Sequence, residues 1–381
     1  MLTRSGVVVA LAAMSLLGLG WLAGYPELVV LGFAGLAALV MAVGWMLLRP
    51  NLAVVREVTP ERVTAGQPAS GVITVTNEAR RRSPPILATE AVAGRHVQVA
   101  VPSLGGGQVH RMSYPLPTGR RGVYQVGPLT IGHTDPLRLM RVGQTYSTYS
   151  TLFVHPRLHT VEPVPTGRTR DMDGPTSSFS QQGGVAFHSL REYEPGDDWR
   201  LIHWRSTART GTTMVRHNVV PNQPRLMVVL DTTLAAYSDS SFEHAVSAAA
   251  SLAFAAIRGG FPLELRTTSG AAVATDRLGA GALGLLDLLA AAERTGDDEG
   301  LAAIPRMVSM DDSVALGVVT GQPDPAVLSV LPAVRRHFLM ISLVQFADRF
   351  AAPPAALHGI VSLTARSVEE FAAAWNALVR T

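Results

Sequence analysis

The densest set of side chains able to do chemistry lies at residues 183–219. It holds four acids (Glu192, Glu194, Asp197, Asp198), five arginines (Arg191, Arg200, Arg205, Arg209, Arg216), three histidines (His188, His203, His217) and two tryptophans (Trp199, Trp204). Three chemistries fit this inventory. Arginine and carboxylate at such density favour bidentate pairs, which would latch one segment onto another. Arginine beside tryptophan is also what protein docking surfaces concentrate. Alternatively His188, Glu192, Glu194, Asp197, Asp198 and His203 could serve a metal-dependent hydrolase, although their spacing matches no closed ligand pattern such as His-Glu-x-x-His. Composition narrows the choice. The chain has no cysteine and no lysine, so its 32 basic residues are all arginine. Thiolate metal sites, cysteine nucleophiles, lysine Schiff bases and lysine-dependent phosphate loops are excluded.

The elements that would position this cluster are legible around it. Pro195-Gly196 is a turn signal, Asp197 or Asp198 can cap a helix over Trp199–Arg209, and Gly211 would end it. Ile202 and Trp204 are expected to face packing partners. Residues 225–381 alternate strand and helix. Strands are expected at 225–231, 262–268, 313–320, 338–344 and 360–364, and helices at 240–257, 281–294, 326–337 and after Ser367. Ser240 with Glu243, and Ser367 with Glu370, read as capping boxes. This order predicts a mostly parallel sheet covered on both faces, with ligands at the carboxyl ends of its strands. Asp231, Thr232 and Thr233 lie at one such end.

Residues 51–160 read instead as short β-strands, expected at 52–56, 71–77, 96–101, 109–116, 122–126, 129–132 and 151–154 and separated by Gly, Pro and Asn, a small antiparallel β-sandwich-like domain. Residues 161–224 combine an exposed Pro- and Gly-rich linker, to about residue 181, with the charged cluster. Arg80–Arg82 and Arg120-Arg121 are either solvated turn tips or contacts to anionic lipid.

The N-terminal 50 residues carry only Arg4, Glu27 and Arg49 as charges. Charged residues make up 16% of the whole chain against about 25% in soluble proteins. Uncharged runs at 6–24 and 28–48 are long enough to span a bilayer, with Tyr25-Pro26-Glu27 as the turn of a transmembrane helical hairpin. Trp21, Tyr25 and Trp45 sit near span ends, and Gly20, Gly24, Gly32 and Gly35 allow close helix approach. Arg4 before the hairpin and Arg49 and Arg56 after it place both termini in the cytoplasm by the positive-inside rule. A cleaved signal peptide followed by one span is the alternative. With a net charge of +3 and no aromatic-interleaved basic stripe, nucleic acid is not an expected partner.

The motif Arg191-Glu192-Tyr193-Glu194-Pro195-Gly196-Asp197-Asp198, then Arg200-x-Ile202-x-Trp204-x-x-Thr207-Ala208-Arg209, resembles the signature of the bacterial "domain of unknown function 58" family. Arg121-Gly122-x-Tyr124-x-x-Gly127-Pro128-Leu129 and Asp135-Pro136-Leu137 resemble its upstream β region. The resemblance implies a Rossmann-type, von Willebrand factor type A-like domain after the signature. As partners it implies a MoxR-type AAA+ ATPase and a transglutaminase-like membrane protein. It implies no established enzymatic activity. Together these features predict a plasma-membrane adaptor that binds through Arg191, Glu192, Tyr193, Pro195, Gly196, Asp197, Asp198, Arg200, Trp204, Arg205, Ala208 and Arg209. A type A domain would hold Mg²⁺ with Asp-x-Ser-x-Ser and later Thr and Asp ligands. Asp231 and Thr233 match the first two positions, but Ala235 and Thr320-Gly321-Gln322 do not supply the rest. A degenerate metal site and no resident cofactor are therefore expected.

Overall fold

The computed structural model describes residues 2–47, 51–166, 187–195, 197–218, 224–307, 314–347 and 357–380. The chain divides into two units, one built chiefly of residues 1–157 and the other of 158–381.

The first unit begins with two helices, α1 (Arg4–Ala23) and α2 (Pro26–Leu47). Each is long and apolar enough to cross a membrane. Thr3 caps α1 by accepting from the Gly6 N–H, and Gly24 closes it in the left-handed conformation. The expected three-residue turn is shorter. Pro26 is the first residue of α2, where its missing N–H costs nothing. The helices run antiparallel. Gly20 faces Val29, while Gly32 faces Leu17 and Ala13, and a Cβ at Gly32 would lie 2.5 Å from Leu17 Cγ. The other faces of both helices are apolar and exposed.

Nine strands follow: β1 (Leu52–Thr59), β2 (Arg62–Thr64), β3 (Ser70–Asn77), β4 (Ile86–Val92), β5 (Arg95–Val101), β6 (Val109–Pro115), β7 (Gly122–Thr134), β8 (Arg141–Tyr146) and β9 (Ser150–His155). They form one sheet of order β1-β3-β6 and another of order β2-β9-β7-β4-β5, with β8 beside β7. The ladders are antiparallel except β2–β9, which is parallel. β7 joins the two strands expected at 122–126 and 129–132, whereas β2, β4 and β8 were not foreseen. Ile73 and Val75 of one sheet share an apolar core with Ala88, Val126, Leu129 and Leu152 of the other. One core position of β4 is Glu90. It pairs with Arg56 of β1 at 2.8 Å and accepts from the Tyr114 hydroxyl of β6, tying the two sheets together. Gly71 leaves the room that the Tyr114 ring fills.

In the second unit, β10 (Phe187–Glu192), α3 (Trp204–Thr210) and β11 (Met214–Asn218) precede an α/β fold. That fold comprises β12 (Arg225–Leu230), α4 (Asp239–Arg258), β13 (Leu263–Thr267), β14 (Ala272–Thr275), α5 (Ala282–Ala291), α6 (Ile304–Met307), β15 (Val314–Thr320), α7 (Pro325–Leu328), α8 (Val330–Val334), β16 (Ile341–Phe346), β17 (Ile360–Ala365) and α9 (Val368–Arg380). Its sheet runs β14-β13-β12-β15-β16-β17, parallel except for the unforeseen antiparallel edge strand β14. α4 packs on β12, β13, β15 and β16, and α9 on β17 and α4. Leu301, Ile304, Leu331 and Phe338 share a core with Met227, Val229, Leu316 and Val318 of the strands.

Three local expectations are corrected. Ser238, not Ser240, caps α4; it exchanges hydrogen bonds with Ser241. The helix expected over 326–337 is two short helices and a 3₁₀ turn, because Pro332 has no N–H to continue it. Ser367 does cap α9, but the Glu370 carboxylate reaches the Arg366 N–H and guanidinium.

The start of the expected linker is also not exposed. Val161 and Val164 are buried, and Val164 fills the space over Gly317 in the sheet. Trp375 Nε1 of α9 donates to the Glu162 carbonyl at 2.8 Å, and Asn376 bonds Thr160 and Glu162. Residues 167–186 lie outside the described residues.

Candidate functional site

The charged cluster folds as a hairpin with a helical tip. β10 and β11 pair antiparallel, placing Arg191 opposite Val215 and Glu192 opposite Met214. Across the next turn the Glu194 N–H donates to Asp197 Oδ2 at 3.0 Å and the Asp197 N–H to the Glu194 carbonyl. Pro195 lies in this turn; Gly196 is outside the described residues. Asp198 Oδ1 then accepts the Arg200 N–H at 2.9 Å and caps a 3₁₀ turn over Trp199–Leu201. These two aspartates thus serve the backbone as caps.

The single helix expected over 199–209 is broken. Ile202 is extended and bridges Val215, and the His203 N–H donates to the Met214 carbonyl at 2.7 Å. That strand contact interrupts the helix. His203 restarts it by capping α3 through its ring, with Nδ1 accepting the Ser206 N–H at 3.3 Å. Gly211 closes α3 in the left-handed conformation, as expected. Thr207 Oγ1 accepts the Met214 N–H at 3.0 Å and ties α3 back to β11.

The expectation that Trp204 faces a packing partner is corrected. Trp199 is 74% exposed and Trp204 69%, whereas Ile202 is half-buried. Arg200, Arg205, Ala208, Arg209 and Tyr193 are exposed as well. The module therefore presents indole and guanidinium outward. Among the described residues no three His, Asp or Glu side chains come together to hold a metal.

The second candidate locus lies at the carboxyl end of the parallel sheet. Asp231 is 1% exposed. Its Oδ2 accepts from Thr320 Oγ1 at 2.6 Å, and its Oδ1 accepts the Thr233 N–H at 2.9 Å. Asp298, which the sequence reading missed, accepts from Thr232 and Thr268 hydroxyls at 2.5 Å each. Its other oxygen caps the Gly300 N–H. Burial raises the Asp231 pKa, opposed by the Thr320 and Thr233 bonds and reinforced by the Asp298 charge. Burial likewise raises the Tyr237 hydroxyl, which lies against the Val319 carbonyl.

These donors do not compose a magnesium shell. Ala235 sits at the third position without an oxygen, and the Gln322 N–H is bonded to the Ala236 carbonyl at 2.6 Å. The oxygens of Asp231 are already taken by threonine hydroxyl and amide donors. Thr233 Oγ1 is buried beside Gly300, whose positive φ and missing Cβ make room for it. The result is a hydroxyl–carboxylate latch that joins the ends of β12, β13 and β15. The run Asp297-Asp298-Glu299-Gly300 after α5 was the one signal that could have revealed Asp298.

Against known proteins, the model described as "Protein of unknown function DUF58" matches residues 189–316. Residues 189–316 form a DUF58 family domain. The DUF58 domain thus runs from Ser189 in β10 through β12, β13 and β14 to the first three residues of β15. A curated relative, the "Uncharacterized protein YeaD" of Bacillus subtilis (strain 168), is 26% identical over 151 residues, covering 39% of this chain and 37% of its own. The match therefore spans little more than a third of that relative.

Solved structures similar to this chain include the CARDB domain of the PF1109 protein from Pyrococcus furiosus. It is 18% identical with TM-score 0.22, over 28% of this chain and 91% of its own. A putative cell surface protein domain from Methanosarcina acetivorans is 20% identical with TM-score 0.22, over 29% of this chain and 96% of its own.

Proposed function

We propose that this protein is a membrane-anchored, non-enzymatic adaptor whose DUF58 hairpin docks a partner protein, a MoxR-type AAA+ ATPase in the first instance. A transglutaminase-like membrane protein is the second partner that the family resemblance implies. In this reading α1 and α2 form a transmembrane hairpin in the plasma membrane, with both termini and the two folded units cytoplasmic. The β-rich unit is a sandwich-like spacer, and the α/β unit is a von Willebrand factor type A-like platform whose metal position has become a latch.

One observation carries the proposal: Trp199 and Trp204 stand exposed beside Arg200, Arg205 and Arg209 on the hairpin module. Tryptophan and arginine are the residues that dominate binding energy when a partner covers them. The test is affinity purification of the full chain from native membranes in mild detergent. An ATPase should co-purify, and W204A or R205E should weaken its retention by at least tenfold, a hot-spot loss of about 1.4 kcal/mol or more. Undiminished retention in both variants would remove the docking role. Turnover of a small substrate by the isolated chain would remove the non-enzymatic one.

A further inference from the structure

We propose that two loops of the β-rich unit, 135–140 and 78–82, rest on the membrane surface and bind anionic lipid headgroups through Arg4, Arg80, Arg81, Arg82 and Arg138. The inference rests on the reading of α1 and α2 as a membrane hairpin and adds where the folded unit touches the bilayer and which lipids it selects.

Each loop is tied to a different end of the hairpin. At the start of α1 the Thr3 N–H donates to the Leu139 carbonyl at 2.9 Å, and the Thr3 hydroxyl to the Arg138 carbonyl at 2.7 Å. Leu2 bridges Met140, and Gly6 abuts the Leu139 carbonyl with no room for a Cβ. The 135–140 loop is therefore fixed against the first turn of α1. A spanning helix begins at headgroup level, so the loop lies at that level too.

At the other end, Asn51 follows Leu47, the last described residue of α2, by four positions and so lies within about 14 Å of it. The Asn51 carbonyl accepts the Glu78 N–H at 3.0 Å, and its side chain donates to the Glu78 carboxylate at 3.4 Å. Buried Asn77 holds the Arg81 carbonyl at 2.9 Å. The three consecutive arginines are thus pinned beside the hairpin's exit. Because α1 and α2 are antiparallel, entry and exit share one side of the bilayer, and both loops face the same leaflet.

The chemistry of this face is basic and apolar. Arg4, Arg80, Arg81, Arg82 and Arg138 are exposed. The acids of the two loops are engaged: Asp135 is buried and accepts the Leu137 and Met140 N–H groups, and Glu78 faces Asn51. Leu2 and Leu137 are each 51% exposed among these arginines. Guanidinium groups at headgroup depth with leucines between them match an anionic lipid surface, where each arginine strengthens attraction about fivefold. A free phosphate would use the charges but leave the leucines in water.

The absence of cysteine makes the test direct, since any introduced thiol is unique. L137C, M14C at an exposed position in the middle of α1, and L278C in the second unit each carry an environment-sensitive fluorophore in the full chain. The labelled proteins are reconstituted into phosphatidylcholine vesicles with and without phosphatidylglycerol. The 137 label should be shielded from water and quenched by headgroup-proximal quenchers, more so with phosphatidylglycerol, while the 278 label stays aqueous. R80E/R81E/R82E should abolish the phosphatidylglycerol dependence. A 137 label as aqueous as the 278 label, or equally shielded in both vesicles, overturns the inference while the 14 label remains lipid-shielded. An aqueous 14 label overturns the hairpin reading itself.

Discussion

Replacing Arg56 by methionine isolates what the buried acid of the β-rich unit costs. The Arg56 and Glu90 side chains are only 4% and 1% exposed, so neither charge can turn to solvent when its partner is lost. R56M keeps the length of the side chain but leaves the Glu90 carboxylate bonded to the Tyr114 hydroxyl without its cation. It also removes the 2.8 Å ion pair and the bond from Arg56 to Ser150. Breaking a buried pair in this one-sided way costs about 3–5 kcal/mol. That is a fifth or more of a typical domain's stability of about 5–15 kcal/mol. At about 2–4 °C per kcal/mol for a unit of this size, the unfolding midpoint should fall by roughly 10 °C.

The triple variant R56M/E90L/Y114F removes every polar member of the trio together. It should recover most of that loss, because hydrophobic replacement of a whole buried pair is close to neutral. Hydrogen exchange read by mass spectrometry on peptides from β1, β4 and β6 of the detergent-solubilised chain reports the unit directly. The reasoning fails if R56M exchanges within about 1 kcal/mol of wild type, or if the triple variant is no more protected than the single one.

The latch and the α/β unit give three further expectations. Burial raises the Asp231 pKa above 3.8, so its contribution to stability is full below that value and is lost as pH rises through the raised folded value. Wild type should therefore gain on D231N as pH falls from neutral toward 4, in denaturant midpoints measured side by side; a pH-independent difference would refute the titration. G321A would drive a Cβ into the Ala236 carbonyl, and about 1–3 kcal/mol should be lost in the same assay. W375A empties a fully buried site and frees the Glu162 carbonyl, which predicts a loss of about 3–5 kcal/mol. A loss under about 1 kcal/mol would show that residues 158–166 are not clamped by α9.

What the sequence reveals follows from whether its signals are local. The apolar runs of β12, β15 and β16 and the small-residue face of α4 are periodic within one element, so they are readable without neighbours. β4 escapes because Glu90 breaks the apolar alternation of Ile86, Ala88 and Val92, and its acceptable partners lie 34 residues back and 24 ahead. The helix break at Ile202 escapes for the same reason, since it answers to Val215 and Met214 across the hairpin. Trp204 misleads because tryptophan is usually a core residue. Its exposure is set by how the module folds and cannot be read from helical spacing. Asp298 is invisible as a latch member because its hydroxyl donors, Thr232 and Thr268, come from two other strand ends.

The clasp between residues 158–166 and α9 sets an order of events during synthesis. Val164 leaves the ribosome long before Gly317, which it covers, and Glu162 waits more than two hundred residues for Trp375 to emerge. Contacts of such sequence separation form late, because the loop between them must close first. The nascent chain therefore displays its tryptophan-bearing hairpin while the α/β sheet is still unfinished, and any holdase that acts on this protein meets that hairpin before the clasp shuts.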